Sequence, residues 1–205
     1  MKRLHDLAKP ALIGALIPHL TWRHHGIGVL QAYVREAREP EIRIHLWHPR
    51  LVREGIVGQG DAHDHRFDLV STVVHGRLYE TLYERTESLG ADRFDAWHVE
   101  NARSASDRGF DGDCRPVESA IPMVTRSRVH PAGTTYDLPR GRFHRTQVDG
   151  LAITLCSMHE KRGQARLLVP HGTEPVHAFN AHHASLSATH ETMAAVVEEA
   201  LAALR

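Results

Sequence analysis

Gly133-Thr-Thr-Tyr-Asp-Leu-Pro139-Arg-Gly141-Arg-Phe-His144 places two glycines, a proline and a histidine in the pattern Gly-x5-Pro-x-Gly-x2-His. A proline and a glycine two residues apart favour a tight turn. The histidine then falls at the start of a strand candidate, Phe143 to Val148, where its ring can point inward. For a chain of this composition the chance expectation of the pattern is on the order of 0.005. It is the most specific signal in the sequence.

The segments around it read as further short strands. Downstream lie Leu151 to Met158 and Ala165 to Val169; upstream lie Met123 to Val129 and the run Phe67 to Tyr83, which Gly76 splits into two strands and a turn. Farther upstream, Glu41-Ile-Arg-Ile-His-Leu-Trp47 alternates apolar and polar residues until Pro49 ends it. Two faces result. Ile42, Ile44 and Leu46 are expected to form core while Arg43, His45 and Trp47 face solvent; in the alternative, the second set lines a pocket mouth with Arg43 anchoring a carboxylate. Many short strands with Gly and Pro between them and no intervening helices predict a mainly β domain, a sandwich or barrel rather than a parallel α/β sheet.

The flanks carry helical period. Pro10 suits the first turn of a helix running to about His19, and a second amphipathic stretch, Val29 to Ala37, is stopped by Glu39-Pro40. Near the other end Met193, Val196, Val197, Ala200, Leu201 and Leu204 recur at helical spacing, predicting a helix from about Ser187 that packs on the barrel or on a second subunit. Glu84 to Pro122 is polar, rich in Asp, Arg, Ser and Gly, and reads as a long excursion from the barrel. The expected organisation is one domain over 1–205: a helical segment 1–40, a β-barrel 41–175 with an insertion 84–122, and a C-terminal helix 187–205.

Composition narrows the partners. Among 205 residues, 25 basic side chains cancel 25 acidic ones, so no global field recruits nucleic acid or an anionic membrane. Aromatics are 6%, too few for a base-stacking surface. Two cysteines, Cys114 and Cys156, make no disulfide framework, and Cys156 reads as a small buried hydrophobe. The apolar run Ala11 to Ile17 is interrupted upstream by Asp6, Lys9 and Pro10 and is far shorter than the ~20 residues of a bilayer span. A cytoplasmic monomer or homodimer with a small-molecule partner is the expectation.

Histidine is abundant, at 18 residues, which makes any single histidine motif cheap. His63-Asp64-His65 would present two imidazoles on one face of a strand, yet chance alone supplies roughly 1.6 His-x-His pairs in such a chain. Joined to His144, the pair makes a three-imidazole site from distant parts of the chain, as a closed β-barrel permits. The bland readings are surface histidines for His63 and His65, a turn residue for His75 and an ordinary strand hydroxyl for Ser157.

These two segments resemble the motifs of the cupin superfamily, Gly-x5-His-x-His-x3,4-Glu-x6-Gly and Gly-x5-Pro-x-Gly-x2-His-x3-Asn. His63, His65 and Gly76 stand at the family's places, as does the whole run from Gly133 to His144; Leu69 occupies the glutamate position, Val148 the asparagine, and Gly60 lies nearer His63 than the pattern asks. The likeness spans about Ile42 to Val169 and implies a double-stranded β-helix (a cupin jelly-roll barrel) with metal ligands His63, His65 and His144. Asp68 has the wrong strand parity to replace the glutamate unless a bulge intervenes.

Three histidines without the glutamate are similar to cysteine dioxygenase and related thiol dioxygenases. That family's Ser-x-His-x-Tyr relay falls here on Ser157, His159 and Lys161, so the resemblance implies catalytic roles for Ser157 and His159, while Lys161 stands where the family has the tyrosine that is its active-site acid. The activity implied is a non-haem Fe(II) oxygenase or dioxygenase acting with O2 on a small polar molecule, a thiol or amino-acid derivative. Two alternatives stand beside it: a non-redox isomerase, lyase or hydrolase using Zn, Ni or Mn, and a non-catalytic cupin that binds a small ligand.

Overall fold

The computed structural model describes residues 6–25, 27–35, 40–51, 62–99, 114–173 and 190–205. They form helix α1 (Pro10–Leu16) with a 3-10 turn to His19, then β1 (Arg23–His25), β2 (Val29–Arg35), β3 (Glu41–Trp47), β4 (Ala62–His63), β5 (Asp68–His75) and β6 (Arg77–Arg85). The chain continues through β7 (Asp92–Val99), β8 (Cys114–Pro131), β9 (Thr135–Leu138), β10 (His144–Gln147), β11 (Ala152–His159), β12 (Arg166–Pro170) and α2 (His190–Ala203).

One sheet runs β1-β2-β3-β11-β5-β9; the other runs β10-β4-β12-β7-β8-β6 and closes on itself where β6 pairs with β10. Every pairing among the described strands is antiparallel, and early strands pair with late ones. The two facing sets, β3-β11-β5-β9 and β4-β10-β6-β8, have the strand order of a jelly roll. The mainly β barrel flanked by helices that the sequence predicts is therefore the architecture observed.

Three apolar layers hold it. Between the sheets, Leu69, Leu82, Leu138 and Met158 form one cluster, and Val29, Trp47, Val73 and Leu78 another. Outside the first sheet, Ile44, Leu46, Ile153 and Leu155 pack against Ile13 and Ile17 of the N-terminal segment and Val196 and Ala200 of α2. The helical stripe is thus covered within the same chain. The second sheet curls over its own core of Ala62, Ala96, Ile121, Met123, Phe143 and Leu168.

Two expectations are corrected. Val29 to Ala37 is not a helix: Val29–Arg35 is strand β2, paired along β3 from Val29↔Trp47 onward, and 36–39 lie outside the described residues. Its apolar residues fit either period, and an available strand edge with β-branched and aromatic partners decides between them. Nor is 84–122 an excursion. β6 extends to Arg85, and β7 and β8 supply two of the six strands that close the second sheet, while 100–113 lie outside the described residues. Register shifts at Phe94/Ala96 and Ala96/Trp97, with Ala120 at φ 55°, break the strand alternation and hide it from a periodicity reading. Similarly, α2 is seen from His190; Ser187 to Thr189 fall outside the described residues.

Gly76 joins β5 to β6 at φ +75°, and a Cβ there would lie 2.2 Å from the Leu151 carbonyl oxygen. Neither the left-handed conformation nor the space admits a side chain. Gly76→Ala should cost on the order of 3 kcal/mol, combining backbone strain with overpacking. Calorimetry should show a melting temperature lower by roughly 6–12 °C; an unchanged midpoint would refute the turn geometry.

Candidate metal centre

His63 ends β4 and His144 begins β10, and the two are directly paired across the sheet. On β4, Ala62 turns outward into the curled core, so His63 faces the space between the sheets. Phe143 and His144 divide the same way. His65 follows two residues after His63, and its carbonyl accepts the Gly141 N–H at 3.1 Å. Gly141 sits at φ +77° in the Pro-Gly turn, so the turn is tied directly to the His-x-His segment.

The three imidazoles offer ligand atoms that all lie within 4.8 Å of one another. His63 Nε2 and His65 Nε2 are 3.2 Å apart, and the ring centroids are separated by 4.5 to 5.0 Å. Metal–nitrogen bonds of about 2.0–2.1 Å place neighbouring ligand nitrogens roughly 3 Å apart, so the spacing suits one ion. The His144 Nδ1–H donates to the Arg142 carbonyl at 3.4 Å, which leaves the lone pair on Nε2. Burial first, and the neighbouring imidazoles second, hold His65 well below the usual histidine range. Burial and His63 do the same to His144. Both rings are neutral and ready to ligate at neutral pH. The donor set fits a divalent transition metal.

Among the described residues no carboxylate joins this group. Leu69 is 7% exposed and packs with Leu82, Leu138 and Met158. Asp68 accepts the Arg140 N–H at 2.8 Å. Asp64, between the two histidines, turns the other way onto Arg166: Nε reaches Oδ2 at 2.7 Å and the Arg166 N–H reaches Oδ1 at 2.6 Å. Arg166 also donates to the Gly141 carbonyl at 3.4 Å and lies over the Phe143 ring at 4.7 Å. One guanidinium therefore anchors both ligand segments. No sequence pattern marks Arg166; it becomes legible only once β12 is seen paired with β4.

His63 and His65 border a cavity of about 310 Å3 whose walls include Phe67, Leu69, Met158 and the polar face of β3. On that strand the expected apolar core face is found, and the expected solvent face is corrected. Ile44 and Leu46 pack toward the helices, while Arg43 and His45 line the cavity and Trp47 is buried between the sheets. Both faces of β3 are covered because helices cap the outer one. Arg43 is not a free carboxylate anchor. Its Nε donates to Glu41 at 2.8 Å, its Nη1 to Gln31 at 3.2 Å, and its guanidinium stacks over Tyr33 at 4.5 Å. Burial would push the Glu41 carboxyl up, but hydrogen bonds from Lys161 and Arg43 outweigh it and hold the carboxyl low.

Ser157 and His159 are not brought to the cavity. Ser157 Oγ and His159 Nε2 meet at 2.9 Å, but both share the strand parity of Ile153 and Leu155, which face the helices. Cys156 and Met158 point inward instead. Counting from His144 crosses the turn 148–151, and side-chain parity does not survive a turn. Lys161 pairs with Glu41 rather than lining the cavity.

No family model matches the chain, and no curated protein matches it in sequence. Solved structures do. An RmlC-like cupin from Shewanella frigidimarina matches at TM-score 0.37 and 15% identity, covering 69% of this chain and 84% of that one. The Drosophila melanogaster CENP-C cupin domain matches at 0.39 and 10%, covering 68% and 74%. Hydroxypropylphosphonic acid epoxidase from S. wedmorenis matches at 0.39 and 11%, covering 69% and 56%. Likeness at this level decides neither ligand nor activity. Among the described residues, no helix is long and apolar enough to cross a membrane.

Proposed function

We propose that this protein is a mononuclear metal cupin, acting as a non-haem Fe(II) oxygenase or dioxygenase of the thiol-dioxygenase type on a small polar molecule, a thiol or amino-acid derivative. The observation that carries this reading is the meeting of His63, His65 and His144 in one group without a carboxylate, at a cavity that His63 and His65 line. Bound Fe(II) would supply redox chemistry toward O2 and a Lewis-acid position for substrate. Three neutral ligands leave that position more electrophilic than a set containing a carboxylate, which favours an anionic donor atom such as a thiolate.

The chain's own residues do the rest. Phe67, Leu69 and Met158 wall the cavity with apolar surface and limit water. Arg166, through Asp64 and the Gly141 carbonyl, keeps the ligand segments in register. Glu41 ion-pairs both Arg43 and Lys161, which holds the Arg43 guanidinium in place on the polar wall.

Purification without oxygen followed by metal mass spectrometry should find about one iron per chain, and adding small thiols or amino-acid thiols should give substrate-dependent O2 uptake. A redox-inert metal in place of iron would turn the reading toward Lewis-acid isomerase, lyase or hydrolase chemistry. Substoichiometric metal of every kind would turn it toward ligand binding without catalysis.

A further inference from the structure

His45 lines the same cavity from β3, on the wall contributed by the opposite sheet. Its Nδ1 lies 3.6 Å from Cys156 Sγ, while its Nε2 is buried and without a hydrogen-bond partner. Which nitrogen carries the proton follows from the chain of contacts behind Cys156. The Trp47 indole N–H can only donate, and it does so to Thr154 Oγ1 at 3.3 Å. The Thr154 hydroxyl proton is then free for Cys156 Sγ, 3.5 Å away. The Cys156 S–H is in turn directed at Ser71 Oγ, at 3.4 Å. With that single S–H committed, the contact between His45 and Cys156 needs a proton from Nδ1. The lone pair is left on Nε2. Burial, and secondly the Arg43 charge, push the imidazole down to about 3, so the ring stays neutral.

We infer that His45 Nε2 is the cavity's hydrogen-bond acceptor, and that the molecule bound at the metal presents an O–H or N–H donor to it. The inference rests on the metal-cavity reading above. An unpaired buried acceptor costs free energy, so a ligand lacking the donor leaves that cost unrelieved. The substrate class is thereby narrowed to compact molecules with a metal-binding atom at one end and a hydrogen-bond donor at the other. His45 is in this sense a specificity-determining residue, held in its tautomer by Cys156.

Two measurements on the zinc-loaded protein test this. With 15N-labelled histidine, long-range proton–nitrogen correlation should show one neutral ring protonated on Nδ1, assigned by its disappearance in His45→Phe. A ring protonated on Nε2 would overturn the inference whatever binds. By calorimetric titration, 2-mercaptoethanol should bind three- to tenfold tighter than 2-methoxyethanethiol, the difference a single hydrogen bond makes. The preference should vanish in His45→Phe and return in part in His45→Gln, which keeps an acceptor. Equal affinities in the wild-type protein would overturn the inference while leaving the metal site standing. Failure of both thiols to bind would instead overturn the metal-cavity reading, and the ligand inferred here with it.

Discussion

A His144→Ala protein purified without oxygen is expected to carry less than a tenth of the metal of the wild-type chain. Replacing one imidazole of three removes a ligand from a group whose atoms lie within 4.8 Å of one another. Loss of an outer partner alone already costs about 10–100-fold in metal affinity, and loss of a direct ligand costs more. The fold should survive. His144 pairs with Leu82 through the β-ladder, which the backbone of an alanine maintains, and its side chain belongs to none of the apolar clusters. Circular dichroism should therefore be unchanged while metal content collapses. His159→Ala is the matched comparison: its ring bonds Ser157 on the helix-facing side of β11, and its metal content should equal the wild type. Full metal in His144→Ala would sink the site, and loss of metal in His159→Ala would return that residue to it.

The difference between those two histidines shows what the sequence could and could not reveal. His63, His65 and His144 were legible because a glycine and a proline at fixed spacing announce a turn, and because residues two apart on a strand share a face. Strands such as Glu41–Trp47 were legible to the residue because their alternation is uninterrupted. The failures have physical causes. Ser157 and His159 were placed by counting through a turn. β7 and β8 were missed because register shifts and a left-handed Ala120 interrupt the period. β2 was misread because five apolar residues in seven satisfy two periods at once, and only a neighbouring strand edge chooses. Arg43 and His45 were misassigned because no strand pattern reveals that helices cover the apolar face and turn the polar one inward. In that last case the deciding contact is made by residues distant in the chain, Ile13 and Ile17 on one side and Val196 and Ala200 on the other.

Arg166→Ala should lower both stability and metal affinity, and the two losses can be separated. The Asp64 side chain is 2% exposed and that of Arg166 is 25%, so truncating the arginine leaves a carboxylate buried with only backbone help. Breaking a buried pair by removing one partner costs about 3–5 kcal/mol. For a chain of this size that lowers the melting temperature by roughly 6–20 °C. Arg166→Lys keeps the charge but loses the fork that reaches Asp64 and the Gly141 carbonyl together, so it should recover only part. The pair variant Asp64→Leu/Arg166→Met removes both charges and replaces them with apolar groups of similar bulk. Because desolvation of an ion pair offsets much of its attraction, that variant should regain most of the stability. It should not regain the metal. His63 and His65 flank Asp64, and Gly141 leads into His144, so both ligand segments lose the group that registers them, at about 10–100-fold in affinity. Stability restored without affinity identifies Arg166 as a positioning residue for the centre. Stability and affinity restored together would make the pair structural only, and a melting temperature unmoved by Arg166→Ala would show that Asp64 is satisfied without it.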